Sequence, residues 1–226
     1  MLKKLGLKFY NSWDKACRES ILKLLEENSR GEILDCGCDN GEFTLEVAKR
    51  ISSCKVYGIE INQKACEAAK RKKIKAYNED LNKKLSIISS SMDVIIANQV
   101  IEHLHDTDIF VKEIYRILKP KGYCIVSTNN LAAWHNIFAL LLGKQPFPSD
   151  VCSDPSIGKL YALWEGDAGS FSHLRIFTYY GLRELFKYYG FKVEKIVGIG
   201  HYIFPKLFCL VDKKHAAYLT IKVRKI

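Results

Sequence analysis

The sequence predicts an α/β fold, a doubly wound and mostly parallel sheet, and three observations carry that expectation. Between residues 32 and 127, short apolar runs alternate with helical patterns, the rhythm of strand–helix–strand units. Runs such as Asp93-Val94-Ile95-Ile96-Ala97 are apolar at nearly every position, which suits strands covered on both faces. The first run breaks into a glycine turn, Asp35-x-Gly37-x-x-x-Gly41, and nineteen residues later the second run ends in Glu60. An acid about 20 residues past such a turn is the ribose partner in nucleotide-binding α/β folds.

The elements follow in order. Phe9, Trp13, Ala16-Cys17, Ile21 and Leu24-Leu25 give a first helix one apolar face. Strands are expected at 32–36, 55–60, 74–77, 92–98 and 123–127, with helices at 42–51, 63–71 and 108–118 between them. The last of these helices runs into Lys119-Pro120-Lys121-Gly122, a stop signal of proline and glycine. Past Thr128 the rhythm breaks. An apolar helix at 131–142 leads into a stretch with Pro146, Pro148 and Pro155, and regular structure resumes with a helix at 178–189 and strands at 191–197 and 217–224. Residues 129–177 are too long for a routine connection and read as a lid or substrate-recognition insert within one domain spanning 1–226.

Composition bounds the function. With 226 residues and 48% apolar side chains the chain can bury a core, and no apolar run approaches the ~18 residues of a membrane span. Met1 to Leu7 has lysines but no apolar centre or small-residue cleavage site. The eight cysteines lack zinc spacing, Cys36 and Cys38 forming C-x-C with the rest apart, as expected of reduced thiols in the cytoplasm. The net charge of +10 includes a cluster, Lys70-Arg71-Lys72-Lys73 with Lys75. It reads as a solvated helix end, with polyanion contact the alternative.

Four segments in sequence order resemble the class I S-adenosylmethionine-dependent methyltransferases: residues 33–41, 56–61, 93–104 and Leu118-Lys119-Pro120-Lys121-Gly122-Tyr123. The resemblance covers about Gly31 to Asn129 well and 178–226 in outline. It implies a seven-stranded sheet whose last strand is antiparallel, with S-adenosyl-L-methionine as cofactor. Asp35, Gly37, Cys38 and Gly41 would then meet its methionine part, the glycines leaving room for it. Glu60 would take the ribose hydroxyls with Ile61 beside it, Asp80 the adenine amino group with Leu81 beside it, and Asn98 would close the fourth strand against the cofactor. Methyl transfer needs no phosphate cradle, so the lack of G-x-G-x-x-G and of a Walker lysine fits.

Glu102-His103 is the segment with chemistry beyond cofactor binding. Some relatives carry E-x-x-E-H plus a distant histidine as a divalent-metal site, but here the first acid falls on Gln99, a weaker ligand for a hard cation. No metal is assigned. His103, with His173 in Ser172-His173-Leu174-Arg175 as the distant partner, is the candidate catalytic pair; a histidine can take the proton of a hydroxyl nucleophile, and packing or capping is the alternative for both. His105 is expected to cap the following helix, and His135, His201 and His215 to lie on the surface. The fourth strand is not followed by Asn-Pro-Pro-Tyr, which counts against methylation of adenine or glutamine nitrogen. Trp134, Phe138, Phe147, Tyr161, Trp164, Phe171 and Phe177 make the insert aromatic, for stacking an acceptor or for packing over the sheet. The leading expectation is a methyltransferase acting on a small-molecule or lipid- or sugar-linked oxygen acceptor, with membrane-surface contact through 131–142 open to it. An RNA methyltransferase and a non-catalytic cofactor-binding scaffold are the alternatives.

Overall fold

The computed structural model describes residues 15–27, 30–53, 55–152, 154, 156–159, 173–200 and 211–226. Helix α1 occupies 15–24. It is followed by β1 (Ile33–Cys36), α2 (Glu42–Arg50), β2 (Val56–Ile59), α3 (Gln63–Arg71), β3 (Lys75–Tyr77), β4 (Met92–Asn98) and α4 (Thr107–Ile117). Then come β5 (Leu118–Asn129), α5 (Trp134–Leu141), α6 (Tyr179–Tyr188), β6 (Phe191–Ile199) and β7 (Tyr218–Lys225). The seven strands stand in the order β3-β2-β1-β4-β5-β7-β6. β1 to β5 pair in parallel, and β7 runs antiparallel to both β5 and β6, as the family resemblance implied.

Alternation along each strand sends side chains to opposite faces, and the core divides accordingly. Ile33, Val94, Ile96 and Ile125 pack with Ile21 of α1 and Phe43 and Val47 of α2. Leu34, Ile95, Ala97 and Val126 face Phe110 and Ile114 of α4 and Leu182 and Phe186 of α6. Both faces of the central strands are therefore covered, which is why they read as continuous apolar runs.

Three local expectations change. Lys119-Pro120-Lys121-Gly122 does not leave the sheet: Leu118 pairs with Met92, and the register shifts before Val94 pairs with Tyr123. The bulge absorbs the proline, the usual way a ladder tolerates one, and Lys119 anchors it through Asp93 Oδ2 at 2.7 Å. The cap of α4 is Asp106, whose side chain accepts from Ile109 N–H at 2.9 Å; His105 instead donates its N–H to Asn82 Oδ1 at 2.8 Å. The apolar helix expected at 131–142 is shorter, as Trp134–Leu141. Phe9, Trp13, Tyr161, Trp164, Phe171 and His201 lie outside the described residues.

The sheet order reverses between β1 and β4. Ligands of open α/β sheets bind outside the carboxyl ends of the strands at such a point, and Gly37, Glu60 and Asn98 all follow or close strands there.

Candidate active site

The turn after β1 is held from beneath, because the N–H groups of Gly37 and Cys38 both donate to Ile59 O, at 2.8 and 3.0 Å. Gly37 and Gly41 have φ of 79° and 81°, a region that only glycine adopts freely. The space a side chain would take is already used. A Cβ on Gly37 would come within 2.5 Å of Val100 Cγ2, and one on Gly41 would strike Ile74 Cδ1. Backbone angle and close packing therefore both require glycine at these two positions. Cys38 lines the cavity above the turn, while its thiol sits over Gly58, where a Cβ would come within 2.6 Å of Sγ.

That cavity, about 230 Å³, is lined by Arg18, Asp35, Gly37, Asn98 and Gln99 among others. Asp35 is buried and its Oδ2 accepts from Thr44 Oγ1 at 2.6 Å. Burial pushes its carboxyl up to about 7, Thr44 opposes this, and the nearby Glu60 charge adds to it. A buried acid raised mainly by desolvation is suited to a cationic ligand, which would draw it back toward ionisation. Asn98 Oδ1 accepts from Ser127 Oγ at 2.6 Å, so its side chain is fixed from β5.

A second, wider groove of about 620 Å³ lies past β2 and β3, lined by Ile61, Asn78, Asp80, Lys83 and Leu85. Glu60 connects the two: Oε2 accepts from Asp39 N–H at 3.0 Å and Oε1 from Asn62 N–H at 2.8 Å. Each oxygen keeps acceptor capacity, so the carboxylate is oriented in advance for a pair of hydroxyls. Asn78 Nδ2 donates to the carbonyls of Glu60 and Ile61, both at 2.8 Å, and clips the end of β2 to the loop after β3. Ile61 is exposed and Leu81 is buried in the core beneath. Asp80 Oδ1 accepts from the N–H and the amide nitrogen of Asn82, both at 2.9 Å. Backbone donation from Asn82 holds the Asp80 carboxyl below its ordinary value against a partial burial penalty. The groove's floor is braced by Arg116, which pairs with Glu113 and donates to Leu85 O and Ile87 O.

Beyond Asn98 the chain turns through Gln99, whose φ is 56°, into a 3-10 turn at Ile101–His103. Glu102 is fully buried. Its Oε2 accepts from Thr128 Oγ1 at 2.9 Å and its Oε1 from Asn129 Nδ2 at 3.4 Å, and burial raises its carboxyl to about 7. The amide orientation of Gln99 that satisfies both its ends donates to Glu102 Oε1 and accepts from Thr128 N–H, both at 3.2 Å, while the one proton of Ser127 Oγ goes to Asn98. The structure brings the two predicted histidines together, with ring centroids 4.9 Å apart. His173 Nδ1 lies 3.1 Å from Pro148 O and Nε2 lies 3.1 Å from Asn129 Nδ2. The Nδ1–H tautomer satisfies both contacts, and desolvation holds the ring's pKa below its ordinary value.

Glu102, His103 and His173 also offer ligand atoms within 4.8 Å of one another and could hold a metal ion. Both oxygens of Glu102 and both nitrogens of His173 are already engaged, by Thr128, Asn129 and Pro148, so a cation would have to replace one bond on each. Sequence reasoning missed Arg18, Thr44, Asn78 and Asn129. Arg18 and Asn129 reach the site from elements distant in sequence, while Thr44 and Asn78 lie close to Asp35 and Asp80 but carry no local pattern that marks them. His135 meets Phe147 edge-on, and His215 pairs with Asp212 at 2.8 Å.

The residues fit S-adenosylmethionine, with a buried acid for its amino group, a pre-oriented carboxylate for its ribose and an apolar-edged groove beyond. Comparison with known proteins agrees. A family model described as a methyltransferase domain matches residues 10–196. A ubiquinone biosynthesis O-methyltransferase of Pelagibacter ubique is 28% identical over 114 residues, 49% of this chain and 47% of that protein. A demethylmenaquinone methyltransferase of Lactobacillus johnsonii is 31% identical over 123 residues, 50% of this chain and 48% of that protein. The matches thus span about half the length of these curated relatives. Among solved structures, a methyltransferase of Thermotoga maritima, described as a possible histamine N-methyltransferase, gives a TM-score of 0.66 at 17% identity, over 100% of this chain and 98% of its own. One from Methanosarcina mazei gives 0.63 at 24% identity, over 92% and 97%. These two speak for the fold. The chain belongs to the methyltransferase-domain family, within the class I S-adenosylmethionine-dependent methyltransferases.

Proposed function

We propose that the protein methylates an oxygen of a small-molecule acceptor, free or linked to a lipid or sugar. The observation that carries this reading is the His103–His173 pair beside buried Glu102, at the carboxyl ends of β4 and β5. When bound, S-adenosylmethionine supplies a sulfonium methyl group for in-line displacement. The residues of the chain bind, orient and move a proton. Asp35 holds the cofactor's amino group, Glu60 its ribose and Asp80 its adenine edge, with Gly37, Cys38, Ile61 and Asn98 lining the walls and Gly41 and Leu81 supporting them from beneath. An oxygen acceptor must lose a proton, and the geometry favours His103 for that task. Both nitrogens of His173 are engaged, so His173 is the positioning residue that packs against the His103 ring. The printed name of the ubiquinone biosynthesis O-methyltransferase supports an oxygen acceptor, and the two quinone-pathway names together support a quinone-like small molecule.

The test is turnover of labelled S-adenosylmethionine with hydroxylated aromatic acceptors. His103→Ala should lower kcat by about 10²- to 10⁴-fold, the usual contribution of a general base, with cofactor affinity kept. Full activity in His103→Ala would remove the base assignment, and absence of saturable cofactor binding would leave only a scaffold role. The basic balance favours RNA as the second reading. RNA affinity that falls steeply as salt rises would support it; affinity indifferent to salt would exclude it.

A further inference from the structure

We propose that the outward face of α5 and the loop behind it form a docking surface for an anionic lipid bilayer. The helix is amphipathic with its faces exchanged. Asn136 and Ala139 are buried against the protein, while Phe138, Leu141 and Leu142 are 44%, 75% and 65% exposed on the other side, with Leu140 at 54%. Four of the five residues from 138 to 142 are therefore large, apolar and open to solvent. The following loop extends the patch. Gln145 N–H donates to Gly158 O at 2.8 Å, which folds the loop back, and Val151 and Ile157 are exposed on it at 58% and 49%. Large apolar side chains gathered in the open on one helix and the loop behind it mark an interaction site.

Charge selects the partner. Lys144 follows the helix at one end, exposed. At the other end Trp134 Nε1 donates to Asp212 Oδ2 at 2.8 Å and its ring meets that of His215 at 4.7 Å, which sets the exposed Lys213 and Lys214 beside the start of α5. The acids nearby are mostly occupied, Asp150 with Lys159 and Asp212 with His215. A second copy of a chain carrying +10 would meet this rim with like charge, whereas acidic headgroups complement it and acyl chains accept the leucines. A helix of 8 residues, about 12 Å long, is far short of a span but suits the interfacial plane. Its position has a consequence for the site, since α5 follows the strand end where Asn129 contacts Glu102 and His173. The surface would bring that end of the sheet to the membrane, whichever acceptor is methylated.

The test uses the full chain with vesicles of phosphatidylcholine alone and of phosphatidylcholine with phosphatidylglycerol. Co-sedimentation is expected with the anionic vesicles and should weaken as salt rises. Leu141→Ser/Leu142→Ser should reduce binding about tenfold or more, with the circular dichroism spectrum and S-adenosylmethionine affinity unchanged. Lys213→Gln/Lys214→Gln should reduce it about fivefold or more, and exposed Lys144→Glu carries the same test if the leucine variant does not fold. No sedimentation with anionic vesicles, or equal sedimentation of wild type and variants, overturns the proposal. So does a dimer that the leucine variant dissolves without any vesicle binding, which would give the face to a second copy.

Discussion

Asp35 ties stability, pH and cofactor affinity to one carboxyl group. Its pKa rises from 3.8 to about 7, through burial first, with the Glu60 charge adding and the Thr44 hydrogen bond and Arg18 opposing. Because the folded value lies above the unfolded one, its contribution to stability is complete below about pH 3.8 and is lost as pH rises through 7. A pKa unit is worth ~1.4 kcal/mol, so an ionised Asp35 costs the ligand-free fold up to ~4 kcal/mol by pH 8. Asp35→Asn keeps an oxygen for Thr44 and removes the charge. In urea unfolding without ligand it should gain about 4 kcal/mol relative to wild type at pH 8 and only about 1–2 kcal/mol at pH 5. In calorimetric titration the same variant should lose about 10- to 100-fold in S-adenosylmethionine affinity, the worth of a charged hydrogen bond. The ligand should stabilise wild type more at pH 8 than at pH 6, because its cationic group pairs with the ionised acid. A variant that is equally destabilised at both pH values, or that binds cofactor as well as wild type, would refute the argument.

Glu60→Ala should raise the cofactor dissociation constant about 100-fold by calorimetry, since it also releases the N–H groups of Asp39 and Asn62; a change below about threefold would separate Glu60 from the ribose. Gly37→Ala should cost about 1–3 kcal/mol in urea unfolding, from the positive φ and the contact with Val100. Arg116→Leu would strip Glu113 of its partner beneath the wider groove and should destabilise the protein by about 2–4 kcal/mol, with an unchanged midpoint counting against that brace. Gln99→Glu would place a second carboxylate against the Glu102–His103–His173 cluster, and calorimetry with Mn²⁺ should show binding stronger than in wild type.

The sheet and the cofactor end of the site were legible because their signals are local. Apolar runs mark strands covered on both sides, and the interval from Gly41 to Glu60 is one helix plus one strand, a length the fold constrains. The beginning of β5 was not legible: proline and glycine at 120 and 122 argue for a turn, and only pairing of Leu118 with Met92 across a bulge keeps them in the ladder. His105 and Asp106 compete for the same cap, and Asn82, from a loop far away in sequence, takes the His105 N–H and leaves Asp106 to α4. Arg18 and Asn129 show the same limit, since one comes from α1 and the other from the end of β5. Their place at the site follows from packing, which no interval in the sequence encodes.

The turn after β4 shows how closely the two halves of the site depend on each other. Gln99 takes a left-handed backbone conformation, costly for a residue with a side chain, and this throws Val100 across the strand ends onto Gly37. Its amide meanwhile joins Glu102 to the N–H of Thr128, next to Ser127, whose Oγ donates to Asn98 at the cavity wall. One strained residue therefore sets the packing over the cofactor turn and links the buried acid of the acceptor side to the amide on the cofactor side. A glutamine serves there because it donates at one end and accepts at the other; a glutamate could accept from Thr128 N–H but would set a second negative charge against Glu102. Without a cation that arrangement is repulsive, so the choice of amide at position 99 suits a site whose buried acid is held by hydrogen bonds.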